Sequence, residues 1–334
     1  MRKIEVVHFQ RKQRSTGNYS IESYFETIRS LQPTDISITK KEVSFFSNGI
    51  IKRLMIAIEV IFYQKDINHN TGDIHFANLF LNKKKTILTI HDCGSLKNIK
   101  GLKYQFIKYF WFTLPSKKAN YITVNSETTK KDLLQYITYP SEKIKVIPIF
   151  VPQVHQPSTK EFNKEKPVIL QLGTAENKNI VRVAEALNGI SCKYIIIGKL
   201  NDSISSALLK NNIDFENYHQ SLTDEEVADY YKQADIVCLV STLEGFGMPI
   251  VEANITGRVV VTSNISSMPE IAGEAAELVN PFNVESIRNG FLKVIENDEH
   301  RDSLIKKGLE NAKRFDSKKI ANEYFNLYRQ IALN

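Results

Sequence analysis

Cysteine is scarce in this 334-residue chain: Cys93, Cys192 and Cys238 are the only three, with no close pair and no metal-like spacing. That excludes a disulfide framework, offers no zinc pattern, and fits a reducing cytoplasm. Long apolar runs are also missing. The stretch from Leu54 to Tyr63 falls well short of the about 20 apolar residues that a bilayer-spanning helix needs. Met1 to Phe9 runs at once into a strand-like segment, without an apolar signal region or a small-residue cleavage site. The expectation is a cytoplasmic chain, soluble or attached at the inner face of the membrane. Repeats and low-complexity tracts are absent as well.

Acidic residues are few in the first half. Residues 1–150 hold 24 Lys and Arg against 12 Asp and Glu, whereas residues 151–334 hold 20 against 25. A basic half of this kind is suited to an anionic partner: a nucleic acid, lipid headgroups or a phosphorylated substrate. No nucleic-acid reading motif accompanies it, so a nucleic-acid partner is not expected.

What is present is alternation between β-branched runs and helical stretches. In the first half, strands are expected at Ile4–Phe9, Asp73–Ala77, Thr86–Ile90, Tyr121–Val124 and Ile144–Ile149, with helices between them. Residues 151–166 are polar, include Pro152 and Pro157, and read as a linker. A second alternation follows, with strands expected at Val168–Leu172, Lys193–Ile197, Asp235–Val240 and Val259–Thr262. This is the pattern of an α/β chain with two successive parallel sheets, each offering a ligand edge at the carboxyl ends of its strands.

One such edge carries Ser241-Thr242-Leu243-Glu244-Gly245-Phe246-Gly247-Met248-Pro249-Ile250-Val251-Glu252-Ala253. Pro249 suits the first turn of a helix and Gly257 suits its end. Gly245 and Gly247 permit positive φ and close approach of a ligand, and the N–H groups that open a helix attract phosphate. Two carboxylates beside a phosphate are unfavourable unless they accept hydrogen bonds from hydroxyls of the same ligand. A sugar nucleotide, with phosphates in its middle and diols at both ends, meets that condition. The plain alternative is a loop carboxylate, a solvated helix residue and a turn.

The run Glu244 to Ala253, followed by Gly257-Arg258-Val259-Val260 and Ser267-Met268-Pro269-Glu270, resembles the signature of the retaining glycosyltransferases of family four. The resemblance extends through Leu172-Gly173-Thr174 and Asn177-Lys178-Asn179 to the C-terminal helices. It implies an α/β chain of GT-B fold, with two Rossmann-like domains whose parallel sheets face a central cleft. Residues 1–150 with 316–334 would form the acceptor-binding domain, and residues 151–315 the domain that binds the nucleotide sugar.

The resemblance also implies roles. Glu244 would contact hydroxyls of the transferred sugar and Glu252 the ribose hydroxyls, with the backbone of Phe246, Gly247 and Met248 near the sugar and diphosphate. Gly173 and Thr174, on the first connection of the second domain, would contact the donor, and Lys178 would neutralise the diphosphate. Many relatives have an arginine where this chain has Thr174. His91, after the strand Thr86–Ile90, would reach the donor sugar near the reacting carbon; Asp92 either orients it or caps the next turn. Gly17, single where many relatives have two glycines, would lie near the donor phosphates or the acceptor.

The activity so implied is a metal-independent, retaining transfer of a hexose-type sugar from a nucleotide diphosphate sugar to a hydroxyl. No cofactor is expected beyond the donor substrate, and no Asp-x-Asp metal signature is found. The acceptor is expected to be a saccharide carried on a polyprenyl diphosphate, in cell-surface polysaccharide synthesis. A nucleotide-sugar epimerase of the same fold and a non-catalytic sugar-nucleotide-binding subunit are the alternatives. Residues 97–118 interleave cations with aromatics. They suit either a helix lying in an anionic membrane interface or a core helix whose lysines snorkel at its edges.

Overall fold

The computed structural model describes residues 2–12, 20–97, 99–151, 153–220 and 222–333. Chain contacts divide it into two units, Met1–Ile149 with Ser317–Asn334, and Phe150–Asp316. Each unit has its own six-stranded sheet in which every strand pair is parallel.

The first sheet contains β1 (Ile4–Gln10), β2 (Ile36–Glu42), β3 (Ile67–Asn70), β4 (Thr86–Ile90), β5 (Tyr121–Val124) and β6 (Ile144–Val146), in the order β2-β1-β3-β4-β5-β6. Two of these strands have no clear signature in the sequence. The Lys40 and Lys41 that obscure β2 suit an edge strand, where charge deters pairing with another chain. The strand expected at Asp73–Ala77 is instead a 3₁₀ turn over His75–Phe80, and the true strand, β3, comes earlier.

That strand reads Ile-Asn-His-Asn, yet all four residues are fully buried. Its polar groups are tolerated because they are partnered. His69 Nδ1 lies 2.7 Å from the Tyr328 hydroxyl and Nε2 lies 2.7 Å from the Thr89 hydroxyl, while Asn70 donates to the Ile74 carbonyl at 2.9 Å. Tyr328 also sits 2.9 Å from His8 Nε2, so its hydroxyl accepts from one imidazole and donates to the other. Tyr328 comes from the helix Ser317–Ala332, which buries Tyr324, Phe325 and Tyr328 in the first unit.

In the second unit, β7 (Val168–Leu172), β8 (Lys193–Ile197), β9 (Phe215–Tyr218), β10 (Ile236–Leu239), β11 (Val259–Ser263) and β12 (Glu277–Val279) are ordered β12-β11-β10-β7-β8-β9. The order reverses between β7 and β10, the point at which a doubly wound sheet opens a crevice beyond its strand ends. All four residues of β10 are fully buried, as a central strand covered on both faces requires. Helix Asp224–Gln233 opens with a reciprocal cap: Glu226 N–H donates to the Thr223 hydroxyl at 3.2 Å, and Thr223 N–H donates to the Glu226 carboxylate at 2.7 Å.

The expected linker is not free chain. Asp235, nearly fully buried, accepts from Lys160, from Asn163 N–H at 3.2 Å and from Val168 N–H at 2.8 Å. The Arg258 guanidinium donates to the Ser158 carbonyl at 2.8 Å, and His155 packs edge-on to Tyr231 with ring centres 5.0 Å apart. Polar composition here reflects side chains that anchor the segment to the second unit.

The 97–118 region also departs from a simple core helix. Helix Gly101–Ile107 widens into a π-helical turn over Lys108–Thr113. Phe112 is buried, while Leu102, Phe106, Tyr109 and Phe110 point to solvent. Among the described residues, no helix is long and apolar enough to cross a membrane.

Candidate active site

Two loops leave the switch point of the second sheet and meet. The first follows β7. Gly173 has φ +80°, and a Cβ there would lie 3.0 Å from Lys178 Cε, so the glycine gives the lysine stem room to lie across the backbone. A short turn over Glu176–Lys178 ends at Asn179, itself left-handed at φ 60°, whose amide donates to the Pro281 carbonyl at 2.7 Å. Thr174, expected among the donor contacts, gives its hydroxyl proton to the Lys199 carbonyl at 2.6 Å.

The second loop follows β10. Thr242 N–H donates to the Asn177 carbonyl and the Asn177 amide donates to the Leu243 carbonyl, both at 2.8 Å, which locks the two loops together. Lys178 Nζ therefore reaches Glu244 Oε1 at 2.7 Å, with each side chain under a fifth exposed. The Ser241 hydroxyl donates to the same oxygen at 2.7 Å.

Two serines after β11 hold the main chain of this loop. Ser266 accepts from Glu244 N–H at 3.1 Å and donates to its carbonyl at 2.8 Å; the Ser267 hydroxyl lies 2.7 Å from the Phe246 carbonyl and 3.0 Å from that of Glu244. Sequence reasoning quoted Ser267 within the motif but gave neither serine a role. The signal is a Ser-Ser pair in the loop after a buried strand, of a residue type that bonds to nearby backbone.

Phe246 is buried, with its ring edge-on to Phe315 at 5.6 Å. Gly247 follows with φ +108°, and helix Met248–Thr256 begins with Pro249 in its first turn. The N–H groups of Gly247 and Met248 stand ahead of the helix's first internal hydrogen bonds, at the positive end of its dipole.

One helical turn beyond Met248 comes Glu252, only 7% exposed. Burial pushes its carboxyl up to about 7, against the opposing pull of the Tyr231 hydroxyl that donates to Oε2. Tyr231 is fully buried and was not singled out from the sequence, where it reads as one more aromatic on an amphipathic helix. Lys178, Glu244, Gly247 and Glu252 are thus assembled in one unit around the carboxyl ends of β7 and β10. Among the described residues, no three His, Cys, Asp or Glu side chains come close enough to hold a metal ion.

His91 belongs to the first unit, directly after β4. Its Nε2 lies 2.8 Å from the Thr71 carbonyl; a carbonyl only accepts, so Nε2 donates to it. The ring lies over Gly72, where φ is +125° and a Cβ would fall 2.6 Å from His91 Cδ2. Asp92 accepts from Gly94 N–H at 2.7 Å, so it caps the next turn. Gly17 lies outside the described residues.

Comparison with known proteins decides what this loop pair belongs to. Residues 155–311 match the family model described as glycosyl transferases group 1, and residues 49–153 match the one described as glycosyltransferase family 4. The chain belongs to glycosyltransferase family four. It is similar to O-antigen chain mannosyltransferase B of Escherichia coli, at 34% identity over 108 residues, which is 32% of this chain and 28% of that one. The chain therefore matches little more than a quarter of that relative's length. A longer match, 25% identical over 83% of this chain and 81% of the relative, is to the N-acetylgalactosamine-N,N'-diacetylbacillosaminyl-diphospho-undecaprenol 4-alpha-N-acetylgalactosaminyltransferase of Campylobacter jejuni subsp. jejuni. Among solved structures, sucrose-phosphate synthase from Thermosynechococcus elongatus superposes with a TM-score of 0.81 at 15% identity, covering 98% of this chain and 99% of that one. The fold of this family-four chain is GT-B.

Proposed function

We propose that the chain transfers a hexose-type glycosyl group from a nucleotide diphosphate sugar to a hydroxyl of a lipid-linked saccharide, in the synthesis of a cell-surface polysaccharide. The observation that carries this reading is the assembly of Lys178, Glu244 and Glu252 around the Gly247 helix start, at the switch point of one sheet. The names of the relatives support the substrate class: one acts on O-antigen chains and another on a diphospho-undecaprenol-linked saccharide.

In this reading the diphosphate lies at the N-terminus of helix Met248–Thr256 and competes with Glu244 for the Lys178 ammonium. Lys178 and the helix dipole stabilise the charge that develops on the leaving diphosphate, and no metal is required. Glu244 and Glu252 accept hydroxyls of the sugar and the ribose. Departure and attack occur on one face of the sugar, with retention, and a donor phosphate oxygen takes the acceptor proton. His91 acts near the reacting carbon of the donor sugar, the role that family resemblance gives it.

The test is product formation from a panel of nucleotide sugars with a lipid-linked acceptor, the donor having first been chosen by thermal shift. Glu244→Ala and His91→Ala should each lower transfer by about a hundredfold or more while the protein stays folded. Wild-type turnover in both variants would sink the proposal, as would conversion of the donor to an isomer without any acceptor.

A further inference from the structure

The first unit carries an apolar surface that its own core does not use. Of the eighteen exposed large hydrophobic residues described, thirteen fall between Phe46 and Phe110. Helix Ile50–Glu59 and the turn Val60–Tyr63 that continues it are apolar on both sides. Ile56, Ala57 and Val60 pack inward. Ile50, Ile51, Leu54, Met55, Ile58 and Phe62 face solvent, with Ile50 73%, Ile51 76% and Phe62 79% exposed. At about 100° per residue these six span one arc of about 140°, opposite the inward set. A helix apolar on two opposite faces is ordinarily covered on both.

The arc continues into the neighbouring segment. Arg53, on the same helix, stacks its guanidinium over the Trp111 ring at 4.3 Å, which ties the helix to the π-helical turn. In that turn and the helix before it, Leu102 is 90% exposed, and Phe106 and Phe110 lie with ring centres 4.7 Å apart in a second solvent-facing cluster.

Charge selects the occupant. Residues 46–118 contain twelve Lys and Arg against four Asp and Glu. Three of those acids are already paired: Glu59 with Lys41, Asp66 with Arg2 and Asp73 with Arg11. Exposed Lys52 and Lys103 lie on the two apolar segments, and Lys12 and Lys41 sit over the Phe46 and Tyr63 rings at 5.1 and 4.1 Å. A second copy of the chain would set this basic surface against its like. An anionic bilayer takes the rings and aliphatic side chains into its interface and the lysines at its headgroups.

We propose that this surface, Ile50–Tyr63 together with Leu102–Phe110, docks the first unit onto an anionic phospholipid membrane. The contact is interfacial and does not rest on the glycosyl-transfer reading, since it needs neither donor nor acceptor.

The test uses the full chain, without nucleotide sugar, in co-sedimentation with vesicles of phosphatidylcholine alone or mixed with phosphatidylglycerol. The wild type should pellet with the mixed vesicles at low salt, less so as salt rises, and the emission of Trp111 should shift on binding. Ile51→Asp combined with Met55→Asp should weaken binding about tenfold or more, with an unchanged circular dichroism spectrum. Leu209→Asp, at an equally exposed apolar position in the second unit, should bind as the wild type. Undiminished binding by the double variant, equal binding to both vesicle types, or reversible self-association without vesicle binding would each overturn the proposal.

Discussion

Glu252 is a carboxylate held away from water, and its pH behaviour follows from that. Its folded value of about 7 lies above the ordinary 4.5, so between those two values the folded protein keeps a proton that the unfolded chain has released. Stability from this group is present below about pH 4.5, declines as pH rises through 7, and stays lost above it, by about 3 kcal/mol for a shift of this size. Glu252→Gln should therefore narrow the difference between melting temperatures measured at pH 5 and pH 8, while weakening donor binding. A melting profile with unchanged pH dependence would count against the burial argument. The spacing of Glu244 and Glu252 around a glycine turn is visible in the sequence. Tyr231, Ser266 and Ser267 are not, because a buried hydroxyl that serves one carboxylate or one carbonyl has no periodicity of its own.

Elements differ in how openly their composition declares them. Strands β4, β7 and β10 are buried through their centres, so they read as short, largely apolar runs rich in β-branched residues and are legible at once. By contrast, β3 is equally buried but polar, and its partners come from far along the chain: Tyr328 from the last helix and Thr89 from β4. No local pattern encodes a hydrogen bond made across 259 residues. The helix that opens at Gly247 is of the legible kind, since its Gly-Met-Pro start states both the positive φ and the first turn. Gly247→Ala should lower stability by about 1–2 kcal/mol, because φ there is +108° and the new Cβ would sit 3.3 Å from Ile250 Cδ1 and 3.4 Å from Leu239 Cδ2. Thermal denaturation measures the loss, and donor titration should show weaker binding through displacement of the Met248 amide. The exposed arc of Ile50–Glu59 was hidden for the opposite reason: apolar residues are expected to face inward, and only the burial of Ile56, Ala57 and Val60 shows which side of the helix was left over.

At the scale of the molecule, helix Ser317–Ala332 completes a unit whose six strands all precede residue 150. Tyr328 is its central tie, bridging His8 and His69, and burial holds both imidazoles in the neutral form, His69 at about 3 and His8 well below its ordinary value. Below about pH 6.5 the unfolded chain takes up protons that these two decline, so the first unit loses stability as pH falls. Tyr328→Phe should destabilise it by about 2–3 kcal/mol by leaving two buried ring nitrogens without a partner. The chain has a single tryptophan, and Trp111 lies in the first unit, so its fluorescence in a urea titration follows this transition separately. The same helix sets an order of events during synthesis. When β6 leaves the ribosome, the first sheet has all its strands but not the aromatic side chains that satisfy its buried histidines. The 167 residues of Phe150–Asp316 must be made before that helix arrives. The unit translated second can therefore close its core first, and the unit translated first waits, with its polar interior open, for the segment that seals it.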